Sequence, residues 1–495
     1  MIVRRGVLTD HYVEDERSVV MVDESVLGLS PVATAILEAV PEGVEVGLAT
    51  VTQHVVATFG PPAGTESAEA LTEQQIWDLV AHRVLVLVET NDPAPAASPQ
   101  GEARRPAPAG GAPASAVIAL RDALRHLRSD NEGRWSAPDA LSPDDLLAAA
   151  RQHHVVPYLS ANLDRLDLPT QASAELTAVA GRQRAGAKLL AADLAEATDA
   201  LDAFGVRALA FKGVALATQS YGDFAIRGAG DLDLLVPPSE LVAAYTALMR
   251  AGWKPSTAFP VLSESWAWRH FLRTGNELTL SRQTSDIDLH WHLAPVRGTF
   301  PDFEALWGRR SIVSVDGYST PTLAPYDALA HSCSHAAKDG WRWLRSLLDV
   351  HTLLCHPETW QTVDRPLRSD QLISLGMAAR AFGTPSDAPS VVAAAADNVA
   401  GKLLARVLRD QDETAPMHQP LSVPGLDFMR RMSAIGLTGA SPSEVVRLVS
   451  RSVLPPWLTA SEPSPTASVA VPRVLLRRAA EVGSKVDARR RRDRT

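Results

Sequence analysis

The sequence predicts an α+β protein with several domains, and three features support this prediction. A chain of 495 residues is long enough for two to four domains of ordinary size. Residues 91–115 contain six Pro and three Gly and no large apolar side chain, which is typical of a disordered linker. Strand-like runs alternate with helical ones between about residues 205 and 322, whereas helical periodicity dominates on both sides. We therefore expect a small N-terminal domain, a mixed-sheet core and largely α-helical flanking regions.

These features also set the expected domain boundaries. A disordered basic tail is expected at the end of the chain, because residues after Pro455-Pro456 are rich in Pro and Ser and then in Arg. The expected units are an N-terminal module at 1–90, the linker at 91–115, a helical region at 116–204, the α/β core at 205–322, a helical C-terminal region at 323–455 and the tail at 456–495.

Within the N-terminal module the order of elements is typical of a small winged-helix-like domain. Ser30 and Pro31 suit the N-cap and the first position of a helix. The predicted elements are a strand at 18–22, helices at 32–40, at 44–58 and from Thr72, and a final strand at 84–88.

The core and its flanks are predicted from changes of hydrophobic period. A long Ala-rich helix at 172–204 ends at Gly205, and apolar strand-like runs follow it. The predicted core elements are strands at 206–211, 231–236, 277–281 and 285–291, with helices at 213–221 and 239–251; helices are expected again from Pro325 to about Val453.

Charge and cysteine content exclude some classes of function. The chain has 48 basic and 57 acidic side chains, a formal charge of −9, and residues 473–495 carry nine basic and three acidic ones, so the rest carries about −15. An acidic body argues against sequence-independent binding of nucleic acid. The two cysteines form no CxxC pair, no apolar run reaches 18 residues, and the N-terminus lacks a signal-peptide pattern, so we expect a soluble cytoplasmic protein without a membrane partner.

The strongest chemical signal is Asp231-Leu232-Asp233 in an apolar strand. Residues i and i+2 of a strand share a face, so both carboxylates project the same way and can hold divalent cations. Such a pair also occurs by chance at strand ends. For the motif alone, a purely structural role without metal binding therefore stays open.

Three neighbouring features favour a phosphate-handling site. Lys212-Gly213 falls at a strand-to-helix junction, where Gly permits close approach and the helix N-terminus favours a phosphate. Arg227 lies four residues before Asp231, where its planar fork can contact phosphate oxygens. Asp286, Asp288, His290 and His292 alternate along a later strand, which is where a third carboxylate ligand is expected.

The segment from Phe211 to Val236 together with the later IDLHWHL resembles the polymerase-β-type nucleotidyltransferase superfamily. The group it resembles most is the bacterial one labelled uncharacterised nucleotidyltransferases, which has kinship to abortive-infection nucleotidyltransferase toxins. The resemblance covers about residues 117–400. It implies that two Mg²⁺ ions, with Mn²⁺ as a substitute, are bound by the carboxylates of Asp231, Asp233 and Asp288. It also implies that Lys212, Gly213 and Arg227 lie near the phosphates of an NTP.

The chain departs from the resembled pattern at the residue after Gly213. The superfamily usually has Gly-Gly or Gly-Ser where this chain has Gly213-Val214, which removes a close phosphate contact.

His331 and His335 have the spacing of metal ligands on a helix, but no Glu follows His331, so the zinc-protease pattern fails. His290, His335 and Lys338 are candidates for orienting substrate; the alternative is that they are packing residues and strand or helix hydrogen-bonders.

The run VVMVDESVLGLSPVATAILEAV resembles the PqqD-type peptide-recognition modules found beside enzymes that modify ribosomally made peptides. In that family a leader peptide adds a strand to a sheet edge. The resemblance implies a leader or precursor peptide as a partner. A winged-helix packing domain without a peptide is the alternative.

We therefore expect a Mg²⁺-dependent nucleotidyltransferase that transfers NMP from an NTP to an acceptor, a ribosomally synthesised peptide held by the N-terminal module. Two alternatives come from other classes. One is a non-catalytic scaffold that binds a leader peptide and has a decayed nucleotidyltransferase site, and the other is a toxin-like enzyme that acts on tRNA or protein.

Overall fold

The computed structural model divides the chain into two compact units, one of residues 1–109 with 416–419 and one of residues 110–415 with 420–495. The structure describes residues 2–6, 8–14, 17–22, 25–41, 44–60, 67–81, 84–88, 112–129, 132–138, 141–255, 264–282, 285–361, 363–412, 441–454 and 464–476. The predicted linker lies almost entirely outside these residues.

The N-terminal unit contains two small antiparallel sheets and three helices. Its elements are β1 (Ile2–Arg5), β2 (Leu8–Glu14), β3 (Arg17–Val22), β4 (Ser25–Gly28), α1 (Pro31–Ala39), β5 (Glu45–Gly47), α2 (Leu48–Phe59), α3 (Ala68–Ala81) and β6 (Leu85–Leu87). One sheet has the order β5-β1-β6 and the other β2-β3-β4. The hydroxyl of Ser30 caps α1 by accepting a hydrogen bond from the backbone N–H of Ala33, as its sequence predicts.

The second unit begins with helices that surround an apolar core. They are α4 (Ala114–Arg128), α5 (Pro143–Gln152), α6 (Val156–Ser160) and the long α7 (Thr170–Ala203), with short strands β7 (Trp135–Ser136) and β8 (Leu166–Asp167) between them. After the central sheet the chain returns to helices, which are α12 (Pro325–Lys338), α13 (Leu344–Leu354), α14 (Ser369–Phe382), α15 (Ser390–Asn398), α16 (Gly401–Asp412) and α17 (Pro442–Val453).

The central sheet has seven strands in the order β11-β12-β13-β10-β9-β15-β14, with the pairs β10-β13 and β9-β15 parallel and the others antiparallel. Its strands are β9 (Leu209–Ala210), β10 (Asp231–Leu235), β11 (Lys254–Pro255), β12 (Glu277–Ser281), β13 (Asp286–His290), β14 (Ser311–Val315) and β15 (Tyr318–Thr322). The helices between them are α8 (Gly213–Tyr221), α9 (Leu241–Arg250), α10 (Trp266–Thr274) and α11 (Phe303–Gly308).

One face of the sheet is apolar and packs against α7 and α9. The alternate positions of β10 and β13 supply its side chains, which are at most 2% exposed: Leu232, Leu234, Ile287 and Leu289. Because side chains alternate across a strand, the aspartates between these residues project to the opposite face. The apolar packing thus fixes the direction of the acidic side chains.

The mixed α+β class is confirmed, and several predicted elements differ in length. The strand predicted at 206–211 is reduced to Leu209–Ala210, and the helix predicted at 44–58 begins as strand β5 before α2 starts at Leu48. The hairpin β14-β15 was not predicted, although Asp316 and Gly317 at its turn both have positive φ, a turn type for which Asp-Gly is a sequence signal.

Within the segment expected as a disordered tail, residues 467–476 form a helix that we label α18. Apolar side chains in this segment reach a core, because Ala470 is fully buried against Trp266 and Ala267 of α10. No helix in the described part of the chain is both long and apolar enough to span a bilayer.

Candidate active site

The site residues occupy one face of the three neighbouring strands β10, β13 and β12. Asp233 lies opposite Asp288 in the parallel pair, and Thr279 lies opposite Asp288 in the antiparallel pair. Residues paired in register share a face, as do residues two apart on one strand. We call the resulting set the polar face; it consists of Asp231, Asp233, Glu277, Thr279, Asp288 and His290.

The N-terminus of α8 lies directly against this face. Gly213, the first residue of α8, has φ +51°, and a β-carbon at this position would lie 3.0 Å from the backbone oxygen of Asp231. Only glycine combines this backbone conformation with such close approach. Lys212 is the N-cap residue, so its ammonium and the first N–H groups of α8 stand beside the carboxylates.

Lys212 and His290 hold Asp233 in the ionised state. The Nζ of Lys212 donates a hydrogen bond of 2.6 Å to Oδ1 of Asp233, and Nε2 of His290 lies 3.1 Å from the same oxygen. Burial acts to raise the pKa of Asp233, but the charge of Lys212 and the hydrogen bond from His290 outweigh it, so this pKa lies below its usual range. The pKa of Lys212 is raised in turn, since the charges of Asp233 and Asp231 outweigh the burial of the ammonium.

The other two carboxyl groups of the predicted metal site lack such compensation. Asp231 is exposed at the start of β10, yet its pKa rises to about 6, because the surrounding protein weakens the solvation of its carboxylate and Asp233 and Asp288 repel its charge, against the pull of Lys212 and Arg227. Burial and Asp233 also raise the pKa of Asp288, although the Thr279 hydroxyl donates to its Oδ1 at 2.6 Å. The polar face thus holds excess negative charge that a cation would neutralise.

The donor set fits a divalent cation. Ligand atoms of Asp233, Asp288 and His290 all lie within 4.8 Å of one another, so these residues can converge on one ion. Carboxylate oxygens are the ligands that Mg²⁺ and Mn²⁺ take in proteins. The structure thus brings His290, which we predicted only as a substrate-orienting residue, into this cluster.

Arg227 is held by Asp349 of α13 and lies within electrostatic reach of the polar face. Its Nε donates to Oδ2 of Asp349 at 2.8 Å, while the hydroxyl of Tyr221 donates to Oδ1 at 2.9 Å. Burial of the guanidinium is outweighed by the charge of Asp349, which raises the pKa of Arg227. Asp349 thereby fixes the direction of the arginine that the sequence predicts near the phosphates.

Arg345 also belongs to this region. It lies one turn before Asp349 on α13, and its buried Nε–H has no hydrogen-bond partner. In the part of the chain that the structure describes, its guanidinium forms no ion pair. Burial and the nearby charge of Arg227 lower its pKa to about 10, whereas Asp349 and Asp231 act in the opposite direction. Arg345 is thus a partly buried cation without a bound counter-charge.

The histidines of α12 lie close to His290 of the polar face. The ring of Phe211 packs edge to face on two histidine rings. Its centroid lies 4.9 Å from that of His290 and 5.0 Å from that of His331. His335 places Nδ1 3.5 Å from Oδ2 of Asp339, and its pKa lies well below the usual value because of burial and the charge of Lys212. Lys338 is exposed in the last turn of α12. The rings of His331 and His335 lie 6.2 Å apart between centroids, and among the described residues neither belongs to a group of three or more potential metal ligands.

Val214 does not project into solvent beside the carboxylates. Its side chain is 1% exposed and packs in the core that also contains Ala210 and Leu232. The valine that stands in place of the second Gly or Ser of the pattern therefore packs in the core next to α8.

The sequence prediction missed two residues of the polar face that had a signal in the sequence. The alternation Glu277-Leu-Thr279-Leu-Ser281 repeats the polar and apolar pattern of β13, so Glu277 and Thr279 could have been predicted on the same face. Asp349 is 122 residues from Arg227, and nothing in the sequence predicts that contact.

Residues 139–380 match the family model described as Uncharacterised nucleotidyltransferase. This range includes the whole polar face, Lys212, Gly213, Arg227, His335 and Lys338. No curated protein and no solved structure matches the chain. The family match supports a nucleotidyltransferase, and it begins after the N-terminal unit.

Proposed function

We propose that the protein is a nucleotidyltransferase that depends on a divalent cation and transfers a nucleoside monophosphate from an NTP to an acceptor peptide. The observation that carries this proposal is the juxtaposition of the polar face with the N-terminus of α8. Carboxylates that take cations and N–H groups that take phosphates stand next to each other, as the binding of a metal–triphosphate complex requires.

Asp231, Asp233 and Asp288 are the proposed cation ligands, for Mg²⁺ with Mn²⁺ as a substitute. The raised pKa values of Asp231 and Asp288 support this role, because carboxyl groups that repel one another bind a shared cation well. When bound, the cations neutralise the triphosphate, lower the pKa of the acceptor hydroxyl and stabilise the pyrophosphate leaving group.

The proposed phosphate ligands are the cations and N–H groups around the polar face. Lys212 stands at the N-terminus of α8, and Gly213 lets the backbone N–H groups approach. Arg227 is oriented by Asp349, and Arg345 forms no ion pair among the described residues, while its buried Nε–H has no hydrogen-bond partner there. An anionic ligand would supply the missing counter-charge, which is why we assign Arg345 to the phosphates.

In the proposed reaction the acceptor oxygen attacks the α-phosphorus in line. An oxygen–phosphorus bond forms to the acceptor, and the bond to the β-phosphate oxygen breaks and releases pyrophosphate. Asp288 is the proposed proton acceptor for the hydroxyl, because its raised pKa and its position opposite Asp233 suit a general base. His290, His335 and Lys338 remain candidates for orienting the acceptor.

The proposal that the acceptor is a peptide rests on the resemblance of the N-terminal module to PqqD-type domains. In the sheet β2-β3-β4 the strands β2 and β4 stand at the edges, and an extended peptide can pair with such an edge. A tethered module would hold the peptide at roughly millimolar effective concentration for the catalytic unit. The alternatives are the leader-binding scaffold and the toxin-like enzyme acting on tRNA or protein.

Labelling with NTPs tests the proposal. The full-length protein is incubated with each α-³²P-labelled NTP, a divalent cation and the product of any short reading frame beside its gene that encodes a leader and a core peptide. We expect the label on the peptide, and no label with the Asp233→Asn variant. Label on tRNA or on another protein would support the toxin-like enzyme, and no transfer together with peptide binding would support the scaffold.

A further inference from the structure

We infer that the ion pair between Lys212 and Asp233 controls how the polar face is loaded. The pair weakens cation binding until the phosphates of an NTP draw the ammonium away from the carboxylate, so the cation and the nucleotide promote each other's binding. The inference rests on the proposed function, since it concerns the same site, and it assigns Lys212 two successive partners.

Asp233 already has two hydrogen-bond donors. Its Oδ1 accepts hydrogen bonds from Nζ of Lys212 at 2.6 Å and from Nε2 of His290 at 3.1 Å. The side chain of Asp233 is 1% exposed and that of Lys212 is 19% exposed, so water and salt screen this contact little. Hydrogen bonds between groups of opposite charge are among the strong ones in proteins. One of the three proposed cation ligands is therefore engaged by an ammonium.

The charge of Lys212 also opposes a cation on the other proposed ligands. Asp231 lies two residues before Asp233 on β10, and Asp288 is paired with Asp233 on β13. A cation held by these carboxylates would stand beside a charge of the same sign, and such repulsion is strong in a poorly solvated site. Lys212 therefore lowers the affinity of the polar face for a cation.

A phosphate can take over the ammonium. Lys212 is the N-cap residue of α8, and the N–H groups of the first turn, which favour a phosphate, follow it directly. Its four-carbon stem is flexible, so the ammonium can turn from the carboxylate to a phosphate while the backbone stays in place. Asp233 then keeps its hydrogen bond from His290. Release of Lys212 thus makes Asp233 available to a cation while His290 continues to orient it.

This exchange predicts effects of opposite sign when the charge of Lys212 is removed. Cation affinity should rise, because a competitor for Asp233 and a repelling charge are both gone, whereas phosphate affinity should fall. A lysine that only binds phosphates would leave cation affinity unchanged on substitution. A lysine that only supports the fold would weaken the binding of both ligands.

The test measures each ligand alone on the full-length protein, because a nucleotide also chelates the cation. Mn²⁺ affinity is measured by electron paramagnetic resonance, and affinity for tripolyphosphate by calorimetry in the presence of EDTA. The variants are Lys212→Gln, whose amide can still donate to Asp233, Lys212→Met, which cannot, and Asp233→Asn. Each has a matched control that removes the same charge from a residue outside the ion pair: Arg345→Gln for Mn²⁺ and Asp231→Asn for tripolyphosphate. Circular dichroism verifies that each variant is folded.

We expect both Lys212 variants to bind Mn²⁺ at least about fivefold more tightly than the native protein and tripolyphosphate at least about fivefold more weakly. Arg345→Gln should change Mn²⁺ affinity less than they do. Asp233→Asn, in which no carboxylate holds the ammonium, should bind tripolyphosphate more tightly than the native protein and more tightly than Asp231→Asn.

Three results would overturn the inference. Lys212→Gln may bind Mn²⁺ no more tightly than Arg345→Gln, Asp233→Asn may bind tripolyphosphate no more tightly than Asp231→Asn, or neither the native protein nor the Lys212 variants bind Mn²⁺ at millimolar concentration. Failure of the proposed function looks different. In that case the affinities shift as expected, but the labelling experiment shows no transfer from any NTP to any acceptor.

Discussion

The backbone oxygen of Asp231 lies 3.0 Å from the point that a β-carbon on Gly213 would occupy. This contact sets the distance between the N-terminus of α8 and the first carboxylate of the polar face. The proposed phosphate-binding groups and the proposed cation ligands are thus joined by backbone contact, which requires that residue 213 has no β-carbon.

Gly213→Ala should therefore weaken NTP binding. Alanine at φ +51° is strained by about 1 kcal/mol, and its β-carbon must push α8 away from Asp231. We expect at least a tenfold loss of affinity for the metal–NTP complex, measured by calorimetry. The matched control is Gly222→Ala, at the other end of α8, where φ is +74° and no atom lies within 4 Å of the added carbon. If both variants bind NTP like the native protein, the close approach has no functional role.

Asp231→Asn and Asp233→Asn should change stability in opposite directions. The pKa of Asp231 is raised from 3.8 to about 6, so its stabilising contribution is complete below pH 3.8 and is lost as the pH rises through 6. At pH 7.5 the ionised Asp231 therefore destabilises the protein without bound cation, and Asp231→Asn should raise Tm. This gain should disappear near pH 4.

Asp233 has a lowered pKa, so it contributes stability above its unfolded pKa, and this contribution is lost on acidification. Asp233→Asn removes the partner of Lys212 from a site where the carboxylate is 1% exposed, and we expect a loss of about 3 kcal/mol at pH 7.5. Thermal and denaturant unfolding at pH 7.5 and pH 4 measure both variants. A fall in Tm of similar size for the two would refute the assigned difference in electrostatic environment.

Cation affinity should fall on acidification through pH 6. Proton and cation compete for Asp231, whose pKa is about 6, so the affinity should decrease about tenfold per pH unit below that value. Titration of Mn²⁺ between pH 5 and 8 measures the profile. In Asp231→Asn the affinity should be lower and the profile flatter in this range. A native affinity that does not change between pH 7 and pH 5 would show that Asp231 does not bind the cation.

Arg345→Gln should reduce the affinity for tripolyphosphate without destabilising the protein. Its guanidinium is partly buried, its Nε–H has no partner, and Asp349 is engaged by Arg227 and Tyr221. Removing an uncompensated charge should leave Tm unchanged or raise it. The control is Arg406→Gln on α16, whose exposed side chain pairs with Asp410. A lower Tm with unchanged tripolyphosphate affinity would make Arg345 a structural residue.

Local sequence signals were sufficient for the elements that carry the site. The helix predicted at 213–221 and the strand predicted at 231–236 agree with α8 and β10 within one residue, because Gly213, Gly222 and the apolar alternation around Asp231 mark them. The placement of Asp231 and Asp233 on one face also followed from the two-residue period of strands, whereas Asp288 was added to them by the family resemblance.

Contacts between distant segments could not be predicted. The direction of Arg227 depends on Asp349, and Nε2 of His290 reaches Asp233 across a strand pair, so both contacts require the fold. The short β9 also depends on its neighbours: Val206 and Phe211 are buried, but the ladder with β10 contains Leu209 and Ala210, and Phe211 adds one backbone hydrogen bond to Asp233. The apolar run at 206–211 reflects burial of its side chains. The length of β9 is determined by the register of the neighbouring strands.

The central claim is that the polar face binds a metal–NTP complex. Calorimetry of the full-length protein with each of the four NTPs, with and without divalent cation, tests it most directly, beside the Asp231→Asn/Asp233→Asn double variant. We predict that at least one NTP binds only when Mn²⁺ or Mg²⁺ is present, and that the double variant does not bind it. Absence of NTP binding under all conditions, or equal binding by the double variant, would contradict the claim.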